Sequence, residues 1–151
     1  MATLHLICGL PGSGKTTLAA RLAEAGNILW LSPDRWLHDL NLDGYDEARR
    51  TAVERLQWNL ALRLLALGTD VILDNGFWSR DERDGLRTEA VALGARVRLH
   101  YLDVPIDELK RRLAIRNECI PAGDFGVSPT DLDKWQAVFE PPDEDELGSP
   151  A

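Results

Sequence analysis

Residues 9 to 16 read Gly9-Leu10-Pro11-Gly12-Ser13-Gly14-Lys15-Thr16, a complete G-x-x-x-x-G-K-S/T run. An apolar stretch precedes it, Leu4-His5-Leu6-Ile7-Cys8, and a helix-forming stretch follows, Thr17-Leu18-Ala19-Ala20-Arg21-Leu22. Strand, glycine loop and helix in that order leave few folds open, because the loop must turn its backbone amides inward at a strand's carboxyl end. Such amides close around phosphate oxygens, and the helix N-terminus adds its positive dipole end. The main chain from Gly9 to Thr17 is the expected cradle. Lys15 is expected on the β- and γ-phosphates and Thr16 on Mg²⁺. The expected ligand is a nucleoside triphosphate.

The rest of the chain repeats the alternation. Leu4–Cys8, Ile28–Leu31, Val71–Leu73 and Val97–Leu102 are short, largely apolar runs, as strands of a parallel sheet buried on both faces require. Helical patterns separate them. Leu18, Leu22 and Ala25 share a face before Gly26. Val53, Leu56, Leu60, Leu64 and Leu67 step through a helix from about Asp46 to Leu67 and are expected to face inward. Ser79-Arg80-Asp81-Glu82 is a capping box, and Pro105 opens a helix with Ile106, Leu109 and Leu113 inward. The stretch from Asn117 to Pro129 is interrupted by proline and glycine, and a last helix runs from about Thr130 to Phe139. The expected fold is α/β: a three-layer α/β/α sandwich around a parallel sheet of four to five strands, with a helical lid near residues 112–130. One domain is expected over 1–140, followed by an acidic, flexible tail over 141–151.

The formal net charge of −8 argues against binding long nucleic acid, which needs a clustered basic surface. Cys8 and Cys119 have no metal-ligand or redox spacing, and Cys8 reads as a small buried apolar residue. His5, His38 and His100 have no spacing that suggests a metal site. No run is apolar and long enough to span a membrane, and a cytoplasmic location is expected.

Ligands of open α/β sheets bind at the carboxyl ends of the strands, so residues just past those ends carry the remaining chemistry. Asp34, in Ser32-Pro33-Asp34-Arg35-Trp36, fits two roles: orienting or deprotonating an acceptor hydroxyl, or capping a helix. Asp74 ends an apolar strand, Val71-Ile72-Leu73-Asp74, which is the Walker B arrangement for Mg²⁺; Asp74-Asn75-Gly76 also suits a plain turn. Asn75, Phe77 and Trp78 are either an acceptor pocket or core. Arg112 and Arg116 share one helical face leading into the interrupted stretch, where two guanidiniums can close over phosphates. Arg80 and Arg83 are weaker candidates for holding an anionic substrate.

Taken together, these residues resemble the small P-loop kinases near zeta toxin, chloramphenicol phosphotransferase and polynucleotide kinase. The resemblance is strongest to the short proteins known as AAA family ATPases or predicted kinases. It rests on Gly9 to Thr17, Ser32-Pro33-Asp34, Val71-Ile72-Leu73-Asp74-Asn75-Gly76 and Arg112-x-x-x-Arg116-Asn117, and spans nearly the whole chain. It implies ATP and Mg²⁺ as cofactors, with catalytic roles for Lys15, Asp34, Arg112 and Arg116. Asp34 is then the group acting on the acceptor hydroxyl. Polynucleotide kinases place an arginine a few residues after that aspartate; here Arg35 is adjacent and Leu37 stands at the third position. The implied activity is therefore phosphoryl transfer to a hydroxyl of a small molecule. An oligonucleotide 5′-hydroxyl kinase and a nucleotide-binding switch are the alternatives.

Overall fold

The computed structural model describes residues 1–120 and 126–147. Its centre is a sheet of β1 (Thr3–Cys8), β2 (Ile28–Leu31), β3 (Asp70–Gly76) and β4 (Arg96–Tyr101) in the order β2-β3-β1-β4. All three pairings are parallel, with Leu4 opposite both Val71 and Val97. The α/β expectation holds, with four strands among the described residues.

Alternation along the strands divides the core between two layers. Leu4, Leu6 and Cys8 point to one face with Val71, Leu73 and Val97, and pack against Ala61 and Leu65 of α3 (Glu47–Ala66) and Ala90 of α4 (Arg80–Ala92). Ile7 and Ile72 point to the other, against Leu18, Ala19 and Leu22 of α1 (Lys15–Ala23). A third cluster joins Leu10 to Leu109 and Leu113 of α5 (Ile106–Glu118) and Leu132 of α6 (Pro129–Val138), which holds the last helices against the glycine loop. The lid expected near residues 112–130 runs from the second half of α5 to the first residues of α6, and its segment 121–125 lies outside the described residues.

Three expectations are corrected. The inward face of α3 is Val53, Gln57, Ala61 and Leu65, whereas Leu56, Leu60 and Leu67 are exposed. The helix carries leucines on more than one side, and the small Ala61 is fully buried in the core cluster with the sheet. A short helix the strand pattern did not reveal, α2 (Pro33–Asp39), follows β2; its cap is Ser32, whose Oγ accepts from the Arg35 amide, so Asp34 is not the cap.

The third concerns the acidic tail, expected to be flexible from 141. Its described part is docked. Residues Glu144–Leu147 form α7, and Glu146 is buried against Arg83. Asp143 and Asp145 pair with Arg80. Composition alone concealed this because the tail's charge is matched by arginines of α4. Residues 148–151 lie outside the described residues. Among the described residues no helix is long and apolar enough to cross a membrane.

Candidate active site

The glycine loop leaves β1 and enters α1 through Gly14, whose φ of 99° is a left-handed conformation that side chains other than glycine rarely adopt. The Gly9 amide donates to the Gly76 carbonyl at 3.0 Å and ties the loop to the exit of β3. At that exit the register slips: Leu6 faces Leu73 but Cys8 faces Gly76, so β3 contains one more residue than its partner. The extra residue is a bulge, and bulges re-aim side chains. Here the bulged stretch carries Asp74 and Asn75, and both line the cleft. Gly76 is required because a β-carbon there would lie 2.9 Å from Trp78 Nε1 and 3.0 Å from the Gly9 carbonyl.

The cleft has a volume of about 680 Å³. It brings together Pro11, Gly12, Gly14, Lys15, Thr16, Thr17, Asp34, Asp74, Arg112 and Arg116. Gly9, Leu10 and Ser13, also read as cradle residues, stand behind the lining: Leu10 and Ser13 are buried, and Leu10 packs on α5.

Lys15 Nζ donates to the carbonyls of Gly9 at 3.2 Å and Leu10 at 3.1 Å. Burial pushes its pKa down, while the Asp74 and Asp34 carboxylates oppose that shift. Burial raises Asp74 to about 6, although the Trp30 indole, donating to Oδ2 at 3.0 Å, and Lys15 both favour its charged form. A desolvated carboxylate and an exposed threonine hydroxyl lining one cleft are hard oxygen donors, which suit Mg²⁺. The Asp74 carboxylate and the Thr16 hydroxyl are the residues that would hold that ion.

Charging Asp74 costs the empty fold stability. Its folded pKa lies above the unfolded value, so the penalty is absent below about pH 4, grows between pH 4 and 6, and is complete above that. Asp74→Asn is therefore expected to stabilise the nucleotide-free protein by about 1–3 kcal/mol at pH 8. Thermal melts at pH 8 and pH 4 check this, since the gain should vanish at the lower pH.

Arg112 reaches the loop. Its Nη1 donates to the Gly12 carbonyl at 3.3 Å and its Nε to Glu108 at 3.0 Å. Arg116, one turn on, lines the cleft and has a buried Nε with no acceptor among the described residues.

Asp34 sits in the first turn of α2 and is held by Arg50 of α3, whose Nη2 donates to Oδ1. Arg50 also donates to the Gly44 carbonyl, Nη2 at 3.1 Å and Nε at 3.3 Å. The sequence places no arginine three positions after Asp34, and the fold brings one from sixteen residues away. Arg35, the adjacent arginine, stacks on Trp30 at 4.7 Å. The cleft is also lined by Glu54, Glu82, Tyr45, Trp78 and Trp135, none of which motif reading singled out as a site except Trp78. Of the aromatic pair after Asn75, Phe77 is core and Trp78 is half-buried cleft wall.

Arg80 and Arg83 are not free to bind substrate. Arg80 is paired with Asp84, Asp143 and Asp145. Arg83 is fully buried, donates from Nη1 to the Phe77 carbonyl at 2.7 Å, and forms a two-pronged pair with Glu146 at 2.8 and 3.1 Å. Phe77 has a φ of 49°, and the amide of Glu140 donates to the next carbonyl, Trp78, at 2.8 Å. The C-terminal segment thus fixes the turn that carries the cleft wall. His5 and His100 pair side by side in β1 and β4, Nδ1 to Nε2 at 3.0 Å, outside the cleft.

An AAA domain family model matches residues 4–142. Curated proteins yield no match. Solved structures similar in fold include a chain of the Pnkp1/Rnl/Hen1 RNA repair complex, 22% identical at a TM-score of 0.76, with 91% of this chain and 43% of that one covered. Another chain of a Pnkp1/Rnl/Hen1 complex is covered over 38% of its length, so this protein spans about two fifths of those neighbours. A sugar kinase from Janibacter sp. HTCC2649 is 22% identical at a TM-score of 0.70, with 97% and 82% covered. Kti12 from Chaetomium thermophilum, solved with ADP-AlF3, is 20% identical at 0.68, with 93% and 81% covered. With a family match over most of its length and a parallel sheet feeding a glycine loop, the chain belongs to the AAA domain family and has the fold of the P-loop kinases.

Proposed function

We propose that this protein is an ATP-dependent phosphotransferase that moves the γ-phosphoryl group to a hydroxyl of a small molecule. The observation that carries the reading is the shared cleft: Lys15, Thr16, Asp74, Arg112 and Arg116, the groups that triphosphate binding calls for, line one cavity together with a second carboxylate, Asp34. A nucleotide switch needs the first five groups; a further carboxylate in the same cleft is what an acceptor hydroxyl needs.

The roles follow from what phosphoryl transfer demands, namely positioning and charge stabilisation in line with the attacking oxygen. Backbone amides of the loop and Lys15 hold the β- and γ-phosphates. Thr16 and Asp74 hold Mg²⁺, which neutralises phosphate charge when bound. Arg112 and Arg116 cover the transferring group, and Arg112 already rests on the loop. Asp34, aimed by Arg50, orients the acceptor hydroxyl and accepts its proton as the oxygen–phosphorus bond forms.

The test is label transfer from γ-labelled ATP to a broad panel of hydroxyl compounds. Acceptor-dependent formation of a labelled monoester is expected. ATP binding with no labelled product across the panel would count against the reading. One observation favours the oligonucleotide alternative: an arginine does stand beside Asp34. That guanidinium is committed to Asp34 and Gly44, however, and a 5′-hydroxyl oligomer belongs in the panel as its direct test.

A further inference from the structure

The cleft holds a second set of groups besides those assigned to the triphosphate. Glu54 and Glu82 both line it, and neither has an ion-pair partner among the described residues. Arg50, one turn before Glu54 on α3, is engaged with Asp34 and the Gly44 carbonyl. Burial raises Glu54 to about 7; Arg50 opposes the shift, while Glu82 and Asp34 add to it. Three aromatic rings line the same cleft. Trp78 and Trp135 have centroids 5.6 Å apart, and Tyr45 stacks on Trp135 at 6.3 Å. Tyr45 is fixed by donating its hydroxyl to the Gly126 carbonyl. Asn75 lines the cleft as well, and its buried Oδ1 has no donor among the described residues.

Two carboxyl groups without an ion-pair partner, aromatic faces and an unused acceptor oxygen in one cavity share a preference. An anionic substrate would meet like charge there, whereas a cation beside Glu54 favours its ionised form and pairs with it and with Glu82. A cation suits both kinds of group, because carboxylates pair with it and ring faces attract it. Resting on the kinase reading, we propose that the acceptor is a hydroxyl compound bearing a protonated amine, an amino sugar or amino alcohol, held by Glu54 and Glu82 against Tyr45, Trp78 and Trp135. Its hydroxyl oxygen bonds to the γ-phosphorus as the bond to ADP breaks. The hydroxyl proton passes to Asp34, and the products are ADP and an aminated phosphate monoester.

Matched acceptors test this with the full chain: glucosamine, glucose and gluconate, and amino alcohols beside their deamino counterparts, each with γ-labelled ATP and Mg²⁺. The amine member of each set is expected to show a kcat/KM at least about tenfold higher than its partners, a difference of about 1.4 kcal/mol. In Glu54→Gln/Glu82→Gln the amine-to-neutral ratio should fall towards one, mainly through KM. ATP titration of that variant by calorimetry verifies that its fold and donor site are intact. Equal or better transfer to neutral or anionic members overturns the inference and leaves the kinase reading standing. So does an amine preference that survives in the double variant. Absence of transfer to every compound, with ATP bound, rejects the kinase reading and this inference with it.

Discussion

Replacing Asp34 with Asn is expected to slow phosphoryl transfer by about 10²–10⁴-fold while ATP affinity stays within about twofold. The separation follows from where the side chain sits. Ser32 caps α2 and Pro33 opens it, so neutralising Asp34 does not uncap the helix. The asparagine keeps an oxygen for Arg50, which in any case remains bonded to the Gly44 carbonyl. What is lost is the negative charge that takes the acceptor's proton. Steady-state transfer and ATP calorimetry on the same variant check both halves. Parallel losses of transfer and of ATP affinity would show that Asp34 supports the fold of the loop and does not act on the acceptor.

A comparably large effect is expected far from the phosphates. Glu146→Ala should destabilise the protein by about 3–5 kcal/mol, because it leaves Arg83 buried without its counter-charge. In a domain of this size that lowers Tm by about 10 °C or more. Burial alone would raise the Glu146 carboxyl; hydrogen bonds from Arg83 outweigh it and hold the carboxyl below the usual range. A carboxyl lowered in the folded state contributes stability above its unfolded pKa, and that stability is lost as pH falls through the folded value. The difference between wild type and Glu146→Ala is thus expected to be full at neutral pH and to shrink in acid. The paired replacement Arg83→Met/Glu146→Leu separates two roles. It should recover most of the stability, since a buried ion pair can be replaced by well-packed apolar groups at little cost. It should still transfer phosphate more slowly than wild type, because the Phe77 carbonyl no longer has its donor and the wall carrying Trp78 loosens.

Much of this was legible in the chain. The four strands and the loop were marked by local features, apolar runs and glycines whose meaning does not depend on distant residues. Asp34 and Asp74 were legible for the same reason: each directly follows or ends such a run. Hidden from the sequence were partners made by the fold. Nothing in Gly44 to Glu54 announces that Arg50 meets Asp34, and Glu54 reads as one more charge on an amphipathic helix. The α3 face was misjudged because leucines outnumber the positions the sheet can cover, and the fold buries Ala61 while leaving Leu60 exposed. The tail was misjudged because acidity and proline suggest solvation unless a cationic surface is waiting; Arg80 and Arg83 supply it.

The central claim is that the turn leaving β1 grips a triphosphate, and calorimetric titration of the purified protein with ATP in the presence of Mg²⁺ tests it most directly. The account predicts saturable, Mg²⁺-dependent heat that weakens as pH falls through about 6, where Asp74 takes up its proton. A folded protein that gives no binding heat at millimolar ATP would contradict it.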